Sequence, residues 1–169
     1  MSAVPIRVDS SEAGQVQLTP KWVLDLLGPI TLDPCTEPDN PTDAAAIYTK
    51  RDNGLIQQWV RSGLVFINPP FREIFPWAEK ISEETLSPRC RGALLVPFRG
   101  EMEWFHLCLR KARFLHSFSR RVHYEKAGRV KSSCPFPSCL FLFGSGWEMS
   151  ALCKIAKTGT MIALNVHVG

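Results

Sequence analysis

No stretch of this chain approaches the ~18 consecutive apolar residues that a membrane-crossing helix requires. The opening residues Met1-Ser2-Ala3-Val4-Pro5 contain no apolar core leading to a small-residue cleavage site, so export is not expected and a cytoplasmic protein is. Cysteines stand at 35, 90, 108, 134, 139 and 153, and no two of them form the Cys-x2-Cys pair of a zinc site. That spacing leaves no metal centre and no disulfide framework, and points to reduced, mostly buried thiols. Internal repeats and low-complexity tracts are lacking, as is any insertion long enough for a second domain. Residues 16–169 therefore read as one domain behind a polar arm, residues 1–15.

Acid is nearly absent from the last third. Residues 1–109 carry 10 basic and 14 acidic groups, whereas residues 110–169 carry 10 and 2, so a net −4 gives way to +8. Most of the excess lies in Arg110, Lys111, Arg113, Arg120, Arg121, Lys126, Arg129 and Lys131, with Glu125 the single acid among them. A concentrated positive field attracts a phosphate backbone, although a solvated basic face has the same composition.

What is present suits a globular α/β domain. With 45% hydrophobic and 21% charged residues over 169 positions, the chain can bury roughly two thirds of its unfolded surface. Thr19 and Pro20 open a helix, with Thr19 as its cap and Trp22, Val23, Leu26 and Leu27 as its apolar stripe, stopped by Gly28-Pro29. Ile30–Leu32 reads as a short strand ending at Asp33-Pro34, followed by a proline-bearing loop over Cys35–Asp43. Leu64–Ile67 and Ala93–Val96 are unbroken apolar runs, the pattern of strands covered on both faces of a parallel sheet. Helices are expected over Ile74–Glu84, Glu101–Lys111 (Phe105, Cys108 and Leu109 inward) and Glu148–Lys157. Shorter strands are expected over Arg113–Leu115, Arg121–Tyr124, Cys139–Phe143 and Thr160–Val166, where turns too short for helices imply an antiparallel edge.

In a parallel α/β sheet, ligands bind beyond the carboxyl ends of the strands. Two proline-locked polar sequences occupy such ends: Asp33-Pro34-Cys35 and Asn68-Pro69-Pro70-Phe71. Asn68 follows four apolar residues, and a polar amide in that position is costly unless its geometry is used. With the backbone locked by two prolines, the Asn68 side-chain oxygen and the Pro69 carbonyl can face one cleft as paired acceptors for an amino group. Phe71 adds a flat face on which a base can stack.

The Asn-Pro-Pro-Phe tetrapeptide resembles the catalytic motif of amino-methyltransferases acting on adenine N6 or cytosine N4. More closely, the chain resembles the short Dam-like DNA N-6-adenine methyltransferases of bacteriophages and prophages. The resemblance covers residues 18–143 and rests on an ordered set of pieces. These begin with Leu18-Thr19-Pro20, Leu32-Asp33-Pro34-Cys35-Thr36, Asn40 and Tyr48-Thr49. Asp52-Asn53-Gly54-Leu55, Trp59, Asn68-Pro69-Pro70-Phe71 and Trp77 follow, then Pro97, Arg99, Gly128-Arg129 and Pro135-Phe136-Pro137-Ser138.

The resemblance implies a Rossmann-like S-adenosylmethionine-dependent methyltransferase fold, with a mostly parallel central sheet and helices on both faces. It also implies methyl transfer to adenine N6 in DNA by direct in-line attack, with the base flipped out of a duplex. Asn68, Pro69, Pro70 and Phe71 would be catalytic. Thr19, Pro20, Asp33, Pro34, Cys35, Asp52, Gly54 and Leu55 would bind the cofactor, Asp33 near its methionine portion. Asp52 would accept from the cofactor's adenine, with Gly54 giving that ring room, although Asp52-Asn53-Gly54-Leu55 is also a good turn. Arg99, Arg120, Arg121, Lys126, Arg129 and Lys131 would meet the nucleic acid. An aspartate at position 68, found in many relatives, would keep part of the activity. A phage-borne enzyme would work in the bacterial host cytoplasm. Cytosine N4 in DNA and adenine in RNA present the same amino chemistry, and a non-catalytic nucleic-acid- or protein-binding protein on this fold is the other reading.

Overall fold

The apolar runs at 64–67 and 93–96 lie side by side near the middle of a seven-stranded sheet. The structure, a computed structural model, describes residues 17–125, 131–133 and 136–164. In chain order its elements are α1 (Lys21–Leu27), β1 (Leu32–Asp33), β2 (Ala46–Ile47), β3 (Gly63–Ile67), α2 (Ile74–Glu84), β4 (Cys90–Pro97) and α3 (Glu103–Lys111). Then come β5 (Phe114–Phe118), β6 (His123–Glu125), β7 (Lys131–Ser133), β8 (Ser138–Gly144), α4 (Met149–Ala156) and β9 (Gly159–Ala163). The expected arm, residues 1–15, lies outside the described residues.

The sheet order is β2-β1-β3-β4-β8-β5-β9, with β6 and β7 forming a separate antiparallel pair. β2, β1, β3 and β4 pair in parallel, whereas β8 pairs antiparallel with β4 and β5, and β5 antiparallel with β9. The Rossmann-like sheet is thus mixed, and its antiparallel part is a full half of the pairings. Alternate residues of each strand face opposite layers. Val65, Ile67, Leu94 and Phe141 pack under α2 and α3, while Leu64, Phe66, Leu95 and Leu140 pack under α1 and α4.

α2 follows its apolar period, with Ile74, Trp77, Ala78 and Ile81 buried. Pro76 falls in its first turn, where the missing N–H has no intrahelical partner to lose. α3 buries Trp104 beside Phe105 and Cys108, leaving Leu109 half-buried. α1 departs from expectation at its start. Pro20 itself is the cap residue and Thr19 makes no cap bond, because the Thr19 hydroxyl is engaged elsewhere.

Strand directions decide what meets what. β5 runs with β4, since each is antiparallel to β8 between them. The carboxyl ends of β1, β3, β4 and β5 therefore share one edge of the sheet, and β8 begins there. Arg99, Arg120 and Arg121 follow β4 and β5 at that edge. Arg110, Lys111 and Arg113 sit at the start of β5, a strand of five residues or roughly 17 Å away. Among the described residues the basic run is one block in sequence but two patches in space. Among the described residues no helix is long and apolar enough to cross a membrane.

Candidate active site

Strand order reverses at β1: the chain steps outward to β2 and returns on the other side as β3. A crevice opens at such a switch point, between the carboxyl ends of β1 and β3. Asp33 ends β1 and Asn68 follows β3, so the two proline-locked sequences border the same opening. The connections on either side of β2 are loops, and residues of those loops wall a cavity of about 740 Å³. That lies within the usual range for small-molecule sites, ~300–1,000 Å³.

Thr19, Asp33, Pro34, Cys35, Gly54 and Leu55 line this cavity, and so do Asn68 and Pro70. Pro20, Asp52, Pro69 and Phe71 do not line it. Sequence reasoning missed Gln17, Thr42, Lys50, Arg72 and Glu73, which belong to the wall, as does Trp77. Composition gave no signal for Thr42, which enters only because its loop folds back onto Asp33.

Asp33 is buried, and its carboxylate organises that loop. One oxygen accepts from the Cys35 backbone N–H at 3.1 Å and the other from the Thr42 hydroxyl at 2.8 Å. Burial raises its pKa from 3.8 to about 6, against the opposing effect of these hydrogen bonds. Burial, with the Asp33 charge adding to it, likewise pushes the Cys35 thiol far above its ordinary value. Cys35 is therefore no thiolate nucleophile.

Asp52 is exposed, and its carboxylate closes a turn by accepting from the Thr49 N–H and hydroxyl, both at 2.8 Å. Gly54 serves a neighbour rather than an open space. A Cβ there would stand 2.0 Å from the Pro34 carbonyl oxygen, so the absence of a side chain lets the two cavity loops close on each other.

Asn68 is held on one side only. Its amide nitrogen donates to the Gln17 carbonyl at 2.6 Å and to the Thr19 hydroxyl at 3.0 Å. Its Oδ1 is buried with no hydrogen-bond partner among the described residues. Trp77 Nε1 and Gln17 Oε1 are likewise buried and unpartnered among the described residues, and both residues line the cavity. Unsatisfied buried polar atoms are uncommon, and three of them around one cavity mark a place that a polar ligand completes.

Phe71 lies between the two hydrophobic layers, with the Tyr124 ring edge-on at 5.8 Å. Tyr124 belongs to β6 and hydrogen-bonds Ser138 at the start of β8 through its hydroxyl at 2.9 Å. Arg99 pairs with Glu101 and stacks 4.3 Å from the Phe136 ring, while Arg120 stacks 4.4 Å from Trp22. Lys126 and Arg129 lie outside the described residues, and Lys131 opens β7 with only its backbone described.

A mixed Rossmann-like sheet with its cavity at the switch point, and Asn-Pro-Pro-Phe leaving the adjacent strand, defines an S-adenosylmethionine-dependent methyltransferase. The lining fits that cofactor, offering unpartnered donor and acceptor atoms together with acids and bases for an amino-acid zwitterion. The chain belongs to the DNA N-6-adenine-methyltransferase (Dam) family, whose model matches residues 10–147. It is an adenine-specific DNA methyltransferase, and its methyl donor is S-adenosylmethionine. No curated protein matches the chain.

Proposed function

We propose that Asn68, Pro69, Pro70 and Phe71 form the catalytic element, that the cavity between β1 and β3 takes the cofactor, and that the target adenine leaves a duplex to reach them. The observation that carries this reading is the half-satisfied Asn68 amide, whose nitrogen is anchored while Oδ1 has no donor among the described residues. An exocyclic amino group supplies such a donor. Its second hydrogen would go to the Pro69 carbonyl.

S-adenosylmethionine supplies an electrophilic methyl group on a sulfonium centre. The chain's part is to hold N6 so that its lone pair faces the cavity, with the two acceptors favouring a pyramidal nitrogen over one conjugated with the ring. The extra proton left on N6 after attack goes to water, since an amide oxygen is too weak a base to keep it. Phe71, braced by Tyr124, stacks on the flipped base. Pro34, Cys35, Gly54 and Leu55 contact the cofactor from the wall, Thr19 acts there through its bond to Asn68, and Asp33 acts through the loop that it closes. Asp52 and Pro20 support the neighbouring backbone.

Methyl transfer from labelled cofactor to duplex DNA, followed by nucleoside analysis, tests the proposal. Label in N6-methyladenine is expected, and label in N4-methylcytosine or in RNA alone would overturn it.

Arg99, Arg120, Arg121, Lys126, Arg129 and Lys131 are proposed to meet the DNA backbone. For the first three, position at the sheet edge that holds the cavity supports this role. Replacing Arg120 and Arg121 together by Ala should flatten the slope of log affinity against log salt by about 2, at ~0.9 per phosphate contact. A slope equal to wild type would put the DNA surface elsewhere. Thermal melts belong beside the titration, because Arg120 also covers Trp22.

A further inference from the structure

We propose that Thr19 and the Gln17 backbone are positioning groups for Asn68, and that their grip is why this chain uses asparagine rather than aspartate. The inference rests on the catalytic reading of Asn68 given above and adds to it a residue and a specificity.

The Gln17 carbonyl can only accept a hydrogen bond. At 2.6 Å from the Asn68 amide it must face nitrogen, because the flipped amide would set two oxygens against each other. The Thr19 hydroxyl takes the second amide hydrogen at 3.0 Å. Both N–H bonds of the side chain are thereby spent on the segment that precedes α1. Oδ1 is forced to the other side, where it is buried and has no partner among the described residues. The amide is thus preorganised as an acceptor before any substrate arrives.

Helix capping does not explain Thr19. Pro20 occupies the cap position and no side chain caps α1. Thr19 is almost fully buried, and its hydroxyl reaches a residue 49 positions away. A carboxylate at position 68 has no hydrogen to give the Gln17 carbonyl and would repel it. The expectation that Asn68→Asp keeps part of the activity is therefore reversed for this chain.

The test uses the full chain, S-adenosylmethionine and a defined duplex. Thr19→Val keeps the shape of the side chain and removes the acceptor. It should slow single-turnover methylation about tenfold at saturating cofactor and DNA, while cofactor Kd moves less than about twofold. Thr19→Ser should recover most of that loss, and Asn68→Asp should be as slow as Asn68→Ala. A second readout is independent of activity. The Asn68 side-chain amide protons, assigned by their absence in Asn68→Asp, should exchange slowly in wild type and faster in Thr19→Val or Thr19→Ala.

Thr19→Val at the wild-type rate would overturn the proposal. So would a loss seen wholly in cofactor affinity, which would make Thr19 a cofactor contact. If Thr19→Val does not fold, Thr19→Ala is read in the same two ways. Wild type that transfers no methyl group yet protects the amide would sink the catalytic reading while leaving the clamp standing.

Discussion

Asn68→Ala is expected to lower single-turnover methyl transfer to adenine by at least roughly a hundredfold, on the order of 3 kcal/mol in the transition state. The effect should be large because the acceptor it removes is fixed in advance and sits where bulk water does not replace it. DNA affinity should change little, since most of it comes from backbone contacts. Phe71→Ala should also harm transfer more than cofactor binding, whereas Phe71→Tyr or Phe71→Trp keeps an aromatic face. Circular dichroism and cofactor affinity recorded for each variant separate chemistry from folding. Transfer at the wild-type rate by Asn68→Ala would remove the tetrapeptide from the reaction.

The second large effect is on stability against pH. Asp33 has a folded pKa of about 6 against an ordinary 3.8, chiefly because it is buried. It favours the fold below pH ~4, and that contribution disappears as pH rises through 6. His116 behaves oppositely, with burial lowering its pKa to about 4 from 6.5. It is enclosed in β5, Nε2 against the Thr158 hydroxyl at 2.9 Å and Nδ1 unpartnered among the described residues. Its contribution is complete above pH 6.5 and is lost as pH falls through 4. Each amounts to on the order of 3 kcal/mol, so between pH 4 and 6.5 the two slopes oppose and largely cancel.

Asp33→Asn removes one of them. Its oxygen can still accept from the Cys35 N–H, and its nitrogen can donate to the Thr42 hydroxyl. Relative to wild type, the variant should gain stability as pH rises from 4 to 6.5, by roughly 6–12 °C in Tm. Melting curves across that window give the difference directly. Parallel pH profiles would mean that Asp33 titrates at its ordinary value.

Much of this molecule was readable from its sequence, for identifiable reasons. α2 was legible because Ile74, Trp77 and Ile81 repeat at helical spacing, and Ala78 is buried with them. The cores of β3 and β4 announced themselves as apolar runs, although β4 begins earlier, at Cys90. Gly92 hid that extension. It reads as a breaker, yet its bare Cα admits Ile81, whose Cδ1 would lie 2.8 Å from a Cβ. β2 was invisible, being two residues long on an open edge.

The candidate site was legible where it depended on local sequence, at Asp33-Pro34 and Asn68-Pro69-Pro70. It was illegible where it depended on distant backbone. The Gln17 carbonyl has no residue signature at all, and Thr19 was read as a cap because that local rule usually suffices. Asp52 closes the turn that Asp52-Asn53-Gly54 spells in sequence. The basic block split because charge counts do not register a strand's length.

The reversal of β8 has a consequence for which part of the chain can change without disturbing the cavity. Ser117 near the end of β5 and Cys139 in β8 are register partners, so the chain between them leaves and re-enters the sheet at one fixed gate. A segment anchored in this way can lengthen or be exchanged with little effect on the strands, because closing a loop of twice the length costs only about 0.6 kcal/mol. The gate opens on the edge that holds Asn68, and the first strand past it carries Tyr124 against Phe71. The span between β5 and β8 can therefore vary without displacing Asp33 at the end of β1 or Asn68 after β3.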